Sequence, residues 1–508
     1  MGNQATENDG KLKGVLAKVE YWGNKMPHPL LLFTYLLGIV FVLSFIMSKM
    51  GITTVHPSTG ETIHVINMLS VDGLVDFMKN FVSNFQGFAV LGICLTIGVV
   101  TGLCDNTGFF TSAIQMTLGN VKGNIVVFVI AIIACVANQT SEAAFVLIPA
   151  IAGAIFYGMG RHPLAGVFLG YASACSGFST SILPGSAEVF LTPLINESAH
   201  MIDESYNMSI LGSYFFLFVS AFLVAGVATF VTVKIVEPRL GTYSQPGMQV
   251  KTADLTDIQK SATKKAGLGI LVYLIILIGI CIPGNSFLRG LGGSLIDGAP
   301  LMDCLVFFLL LLFFIPGIIY GKATGQIKKA GDAANFLYDG VKPFAPFIVN
   351  AMIIAQFLKM FDKSNIGKVI AINGGQWLKT LPLPAWMIAI AFLLLIALIN
   401  LMIASVTTKY LIFGPIFIPM LMQIGMNPAF TIAVYRLGDC VTNNLTPMMP
   451  AFIILLGTCQ KYDKKCGMGT IFSNMLPYTI GLFLIFVVQI VLWVVLNLPV
   501  GVGTGVWL

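Results

Sequence analysis

The chain has 508 residues, 56% of them hydrophobic and only 10% charged, with a net charge of +6 and a mean hydropathy of +0.88. Many apolar runs reach the roughly 20 residues that cross a bilayer's hydrocarbon core, which excludes a soluble domain and, because the runs are continuous and not alternating, a membrane β-barrel. Nine cysteines without metal-type pairing argue against a disulfide framework or zinc site, and the basic excess needs no nucleic-acid partner, since cytoplasmic loops of membrane proteins are basic by rule.

Residues 1–29 are polar and carry Lys11, Lys13, Lys18 and Lys25, so the N-terminus is expected in the cytoplasm. The run 30 to 49 is too long for a signal-peptide core and reads as an uncleaved first span. The loop 51 to 86, with Glu61, Asp72 and Asp76 against Lys79, then lies outside. A span at 88 to 104 returns inside and ends at Asn106-Thr107-Gly108. It leads into an apolar hairpin with the polar tip Asn138-Gln139-Thr140-Ser141-Glu142, whose ends at Lys122 and at Arg161-His162 face the cytoplasm. His162, beside a proline, reads as interfacial.

The next span, 164 to 194, is interrupted at Ser176-Gly177-Phe178-Ser179-Thr180-Ser181 and again at Pro184-Gly185, with Glu188 just beyond. Glu188 is either a buried carboxylate able to exchange a proton or an acid at the wet end of its span. An acidic outer loop with Glu197, Asp203 and Glu204 follows, then a span at 211 to 233. Residues 236–265 read as a cytoplasmic linker whose helical stretch, Leu255 to Lys265, lies at the interface. Spans 266 to 283 and 301 to 320 go out and back to Lys322, Lys328 and Lys329.

The pattern then repeats from the opposite face. A span at 344 to 360 leads into Asn365-Ile366-Gly367, a second hairpin has the tip Ala404-Ser405-Val406-Thr407-Thr408-Lys409-Tyr410, and a span at 429 to 457 is interrupted from Asp439 to Pro447. The last span, 470 to 497, ends outside. The fold expected is an all-α polytopic membrane protein of about nine transmembrane helices plus two re-entrant helical hairpins in an inverted repeat. Its divisions are a cytoplasmic segment 1–29, a first membrane half 30–235, the linker 236–265, scaffold helices 266–343 and a second membrane half 344–508. Lys363, Lys368 and Lys379 fall outside in this scheme, against the charge rule.

Interrupted membrane helices in matched positions of two halves point to a transporter's binding site. Non-helical polar backbone at that depth survives only when buried in protein or lining a cavity, and half-helix N-termini offer free N–H groups to an anion. Arg436 and Asp439 stand i and i+3 on one helix face and are able to pair. Asn443, Asn444 and Thr446 surround Asp439 with oxygens that suit a hard cation, so Na⁺ at Asp439 and Asn443 is the one metal candidate and no other cofactor is implied. The cation-coupling set is Asp439, Asn443, Asn138 and Asn400. The substrate-binding set is Arg436, Lys409, Tyr410, Thr407, Ser141, Ser179, Asn444 and Glu188.

Several segments resemble one known family. Asn24-Lys25-Met26-Pro27-His28-Pro29, Gly160-Arg161-His162-Pro163-Leu164-Ala165-Gly166, Ser176-Gly177-Phe178-Ser179, Val236-Glu237-Pro238-Arg239-Leu240-Gly241 and Tyr435-Arg436-Leu437-Gly438-Asp439 are similar to the p-aminobenzoyl-glutamate transporter family, over essentially the whole chain. The resemblance implies a homodimeric, multi-pass inner-membrane transporter with an outer scaffold around a core of two hairpins. It implies a small anionic aryl-amide substrate, taken up as the folate catabolite p-aminobenzoyl-glutamate or exported as sulfonamide or p-aminobenzoate, driven by a Na⁺ or H⁺ gradient. Arg436 and Asp439 match the family's core Arg and Asp. The chain departs from the family where Glu188 replaces a common Asp and where Tyr410, not Trp, follows Lys409.

The rival within transport is an ion-coupled carrier of another small carboxylate or amino acid. An intramembrane enzyme would need a nucleophile and base or a metal constellation, and no His-Glu-x-x-His motif, Asp pair or Ser-His set stands at membrane depth, so the chain is not read as an enzyme.

Overall fold

The computed structural model describes residues 29–55, 60–119, 125–140, 144–243, 255–290, 293–295, 299–342, 345–403, 405–446, 449 and 451–508. The segment Asn24 to His28, Ser141, Glu142 and Pro447 lie outside them, and of the Asn138 side chain nothing is described.

The first half runs α1 (Pro29–Lys49), a short antiparallel pair β1 (Thr53–Val55) and β2 (Thr62–His64), α2 (Val71–Gln86), α3 (Ala89–Asn106), α4 (Phe109–Gly119), α5 (Val126–Thr140), α6 (Ala144–Gly158), α7 (Pro163–Gly177), α8 (Ser186–Ala199) and α9 (Tyr214–Leu240). Thr53 pairs with His64 and Val55 with Thr62. After α10 (Asp257–Cys281) the second half runs α11 (Leu305–Ala323), α12 (Ala330–Val341), α13 (Ala345–Lys363), α14 (Ile366–Thr380), α15 (Ala385–Asn400), α16 (Val406–Met422), α17 (Pro428–Thr442), α18 (Ala451–Tyr462) and α19 (Met468–Leu496). Among the described residues, α1, α9, α10, α11 and α19 are long and apolar enough to cross a membrane.

Helix for helix, α11 to α19 repeat α1 to α9, and the packing is reciprocal. Helix α3 packs on α11 and α12 of the other half, and α13 packs on α1 and α2; α8 packs on α16, and α18 on α6. Contacts that swap in this way define a twofold-related pair of units, and the equivalent helices α7 and α17, and α9 and α19, meet each other at its centre.

Local sequence sets the matching elements. Gly160 and Gly425 turn the chain with φ of +71° and +83°, conformations that cost glycine little. Each is followed by an extended N-cap, His162 or Asn427, and by a proline at the first helical position, where a missing N–H costs nothing. Helices α7 and α17 are buried along their whole lengths. The hairpin helices α5, α6, α15 and α16 have 15 to 17 residues. They therefore reach only about 22 to 26 Å, short of a hydrocarbon core of about 30 Å, so each pair turns back within it.

Two expectations change. The stretch 255–265 is not a separate interfacial helix: a Thr256–Gln259 capping box starts α10 and nothing breaks it before Cys281. Of the three lysines that offended the charge rule, Lys363 is neutralised by an acid assigned to the same face: its Nζ lies 2.5 Å from Asp76 of α2. Lys359, one turn earlier on α13, pairs in the same way with Glu197 of α8 at 2.9 Å.

Candidate functional site

The described ends of the interrupted helices converge. Gly177 ends α7 against hairpin helix α5, where a Cβ would stand 2.4 Å from Cys135 Cα; Gly438 of α17 faces α15, where a Cβ would stand 2.8 Å from Leu393 O. These close approaches bring both hairpins onto the two broken helices. Between the breaks, Cys440 Sγ contacts Ser176 O at 2.8 Å, so α7 and α17 touch where each stops.

Asp439 is fully buried and collects donors from three elements. Lys409 of α16 pairs with its Oδ1, while Ser179, in the break after α7, donates to Oδ2 at 2.7 Å and Asn443 Nδ2 donates to the same oxygen at 2.9 Å. Asn400, at the end of α15, accepts from Lys409 through Oδ1. Its Nδ2 faces Asp439 O (3.0 Å), Thr442 Oγ1 (3.0 Å) and Asn443 Oδ1 (2.8 Å), so two hydrogens serve three acceptors. Ser405 caps α16, its hydroxyl accepting from the Thr408 N–H at 3.2 Å, which sets the helix phase that sends Lys409 inward.

The expected i, i+3 pair does not form. Arg436 turns instead to Glu188 of α8, a partner 248 residues away in sequence, through Nη1. Glu188 is buried, so it does not stand in water at the end of its span. Its other contacts explain why: Ser181 donates to Oε1 at 2.6 Å, and the Gly185 N–H donates to Oε2 at 2.7 Å, so the same carboxylate closes the N-terminus of α8. The Nε and Nη2 atoms of Arg436 are buried and have no partner among the described residues. An unmet guanidinium edge at such depth is costly, so a planar acceptor with two oxygens fits it well.

The remaining sequence-derived residues separate. Asn444 accepts from Thr479 at 2.7 Å, with its Nδ2 unpartnered among the described residues. Thr407 is half-buried in the first turn of α16. The Tyr410 ring does not follow Lys409 inward: it packs edge-on against Tyr435 with centroids 5.6 Å apart and lines a small cavity between α8, α13 and α16. Sequence reasoning missed Thr442 and Ser181, whose hydroxyls complete the Asn400 and Glu188 networks. Ser181 ends the polar run that marked the first break, which was its only signal.

In this arrangement the oxygens of Asp439 and Asn400 that would ligate a hard cation are turned on the Lys409 ammonium. Asn443 presents its amide hydrogens, not its oxygen, to Asp439.

Comparison with known proteins places this geometry among relatives. Residues 14–508 match the family model described as the AbgT putative transporter family. The chain is 31% identical over 499 residues to the p-aminobenzoyl-glutamate transport protein of Escherichia coli (strain K12), covering 98% of this chain and 97% of that one. Among solved structures it resembles the YdaH transporter of Alcanivorax borkumensis, which has an unusual topology, with a TM-score of 0.88 and 33% identity over 94% of this chain and 100% of that one. It also resembles MtrF of Neisseria gonorrhoeae, from a class of antimetabolite efflux pumps, with a TM-score of 0.90 and 31% identity over 97% of this chain and 99% of that one.

Proposed function

The chain belongs to the AbgT transporter family, a multi-pass membrane transporter and not an enzyme, and we propose that it is a proton-coupled secondary carrier of p-aminobenzoyl-glutamate or a related small anionic aryl amide. The observation that carries the anion reading is the buried free edge of Arg436: Glu188 holds one end of the guanidinium, and the two unpartnered nitrogens present a fork to a carboxylate. The p-aminobenzoyl-glutamate relative supports the aryl amide, and the likeness to MtrF, from a class of antimetabolite efflux pumps, supports export as a direction of transport. Glu188 is then a positioning residue, holding Arg436 and α8 together.

Lys409 supports proton over Na⁺ coupling. Its ammonium is a tethered cation lodged among the oxygens a free cation would need. Protonating Asp439 removes the charge that retains Lys409, and loss of that proton draws the lysine back. Access alternates as the core of hairpins and broken helices moves against the scaffold. The same reading has the chain in the cytoplasmic membrane with its N-terminus in the cytoplasm, as loop charges favour, and working as the homodimer the family resemblance implies.

Labelled p-aminobenzoyl-glutamate is offered to vesicles holding the purified protein, under an imposed pH gradient or an imposed Na⁺ gradient. Accumulation above equilibrium with the pH gradient alone, lost in Arg436→Gln, is expected. A requirement for Na⁺ at fixed pH gradient would overturn the coupling, and competition by simple dicarboxylates but not by aryl amides would overturn the substrate.

A further inference from the structure

We infer that the small chamber between α8, α13 and α16 is a site for water and hydronium, reached past Met201 from a larger cavity on the face that bears β1 and β2. The larger cavity, about 1080 Å³, is lined by Glu61, His64, Asp203, Glu204 and Lys368 among others. The chamber, about 10 Å³, has room for a single water and is lined by Glu197, Ser198, Asp362 and Tyr410. Met201 lines both and is itself buried, so an unbranched, flexible side chain stands at the boundary between them.

The chamber's polar groups fit a water. The Tyr410 hydroxyl is buried and, with the Ser198 hydroxyl nearby, closes no hydrogen bond of good geometry among the described residues, a condition that a bridging water relieves. Ser198 gives its proton to Leu194 O at 2.8 Å and keeps lone pairs to accept. Glu197 meets Lys359 through Oε1 at 2.9 Å, leaving Oε2, and Asp362 adds a second carboxylate. Two carboxylates facing one lysine make the chamber favour cations over anions. It also abuts α16, the helix that carries Lys409 on another face. Where the family commonly has Trp, Tyr410 supplies a hydroxyl at this point.

The use of this route for coupling rests on the proton reading above; its existence does not. Ser198→Cys places a thiol on the chamber wall, and its reaction with Ag⁺, a thiol-reactive cation about the size of a water, in the reconstituted full-length protein is followed by peptide mass after the unreacted thiols are alkylated in denaturant. Reaction about tenfold faster than at native Cys440 is expected. Adding Met201→Trp should slow it by a similar factor. Reaction no faster than at Cys440, or indifference to the bulk at position 201, overturns the route. Leu411→Cys, lining the chamber from α16, repeats the test if the first variant does not fold. Labelling needs no transport, so a labelled chamber in a protein indifferent to pH gradients supports the route and sinks only the coupling reading.

Discussion

The ammonium of Lys409 and the carboxylate of Asp439 form an ion pair fully shielded from solvent, linking the first turn of a hairpin helix to the last turn of a broken helix. Neither charge has water to fall back on, so each depends on the other and on Asn400, Ser179 and Asn443.

That dependence separates folding from transport. Lys409→Met or Asp439→Leu alone strands a buried charge and should lower unfolding stability by about 3–5 kcal/mol. The double variant removes both charges and should recover most of that loss in a thermal melt in detergent. It should nevertheless fail to accumulate substrate in vesicles under a pH gradient. A double variant that still couples would move the ion site away from this pair.

Glu188 does two jobs with its two oxygens, and length decides whether both are done. Glu188→Asp keeps the charge but is one methylene short of spanning from the Gly185 N–H to Arg436. Losing one charge-assisted bond at the substrate's partner should raise KM about tenfold. Glu188→Gln keeps the length but has one accepting oxygen: it can still cap the Gly185 N–H, yet its NH2 then faces a guanidinium donor and the buried Arg436 charge is stranded, which should lower unfolding stability by about 3–5 kcal/mol. A raised KM in the first variant and a lowered melt in the second should therefore separate reach from charge.

The packing at Gly438 governs how α15 delivers Asn400. A methyl there would stand 2.8 Å from Leu393 O and from Ile396 Cβ, closer than real contacts allow. Gly438→Ala should cost about 1–3 kcal/mol as α15 is pushed from α17. Because Asn400 rides on the end of α15, transport should fall further than stability does. Equal losses in the melt and in vesicle uptake would show that Gly438 matters for packing alone.

How much of this was legible in the sequence follows from the range of each rule. Turn glycines, N1 prolines and interrupted apolar runs are local signals, and Gly160-Pro163 and Gly425-Pro428 do sit where they mark the starts of α7 and α17. Helix-face arithmetic sees only one helix, so it offered Arg436 to Asp439; the actual partners, Glu188 and Lys409, come from elements 248 and 30 residues away, the first set by how the halves interlock and the second by how the hairpin folds onto α17. Lys363 looked misplaced for the same reason, since Asp76 is 287 residues from it. Tyr410 follows Lys409 in sequence, yet on a helix adjacent residues diverge by about 100°, and its ring faces α8, α13 and Tyr435.

The turn joining α6 to α7 carries a pH-dependent stability of its own. His162 caps α7, stacks edge-on with Tyr243 at 5.2 Å and stands beside the Arg161–Glu237 ion pair. Burial pulls its pKa below the usual 6.5, outweighing the opposing pull of Asp463 and Glu237. The unfolded chain therefore takes the proton first as pH falls. Stability from this residue is fully present above about pH 6.5 and is lost as pH drops through the lower, folded value. The melting temperature should fall between pH 7.5 and 5.5 by more in the native protein than in His162→Gln, which has no proton to take up. Matching pH profiles for the two proteins would show that the acid sensitivity of the fold lies with its carboxylates and not with this turn.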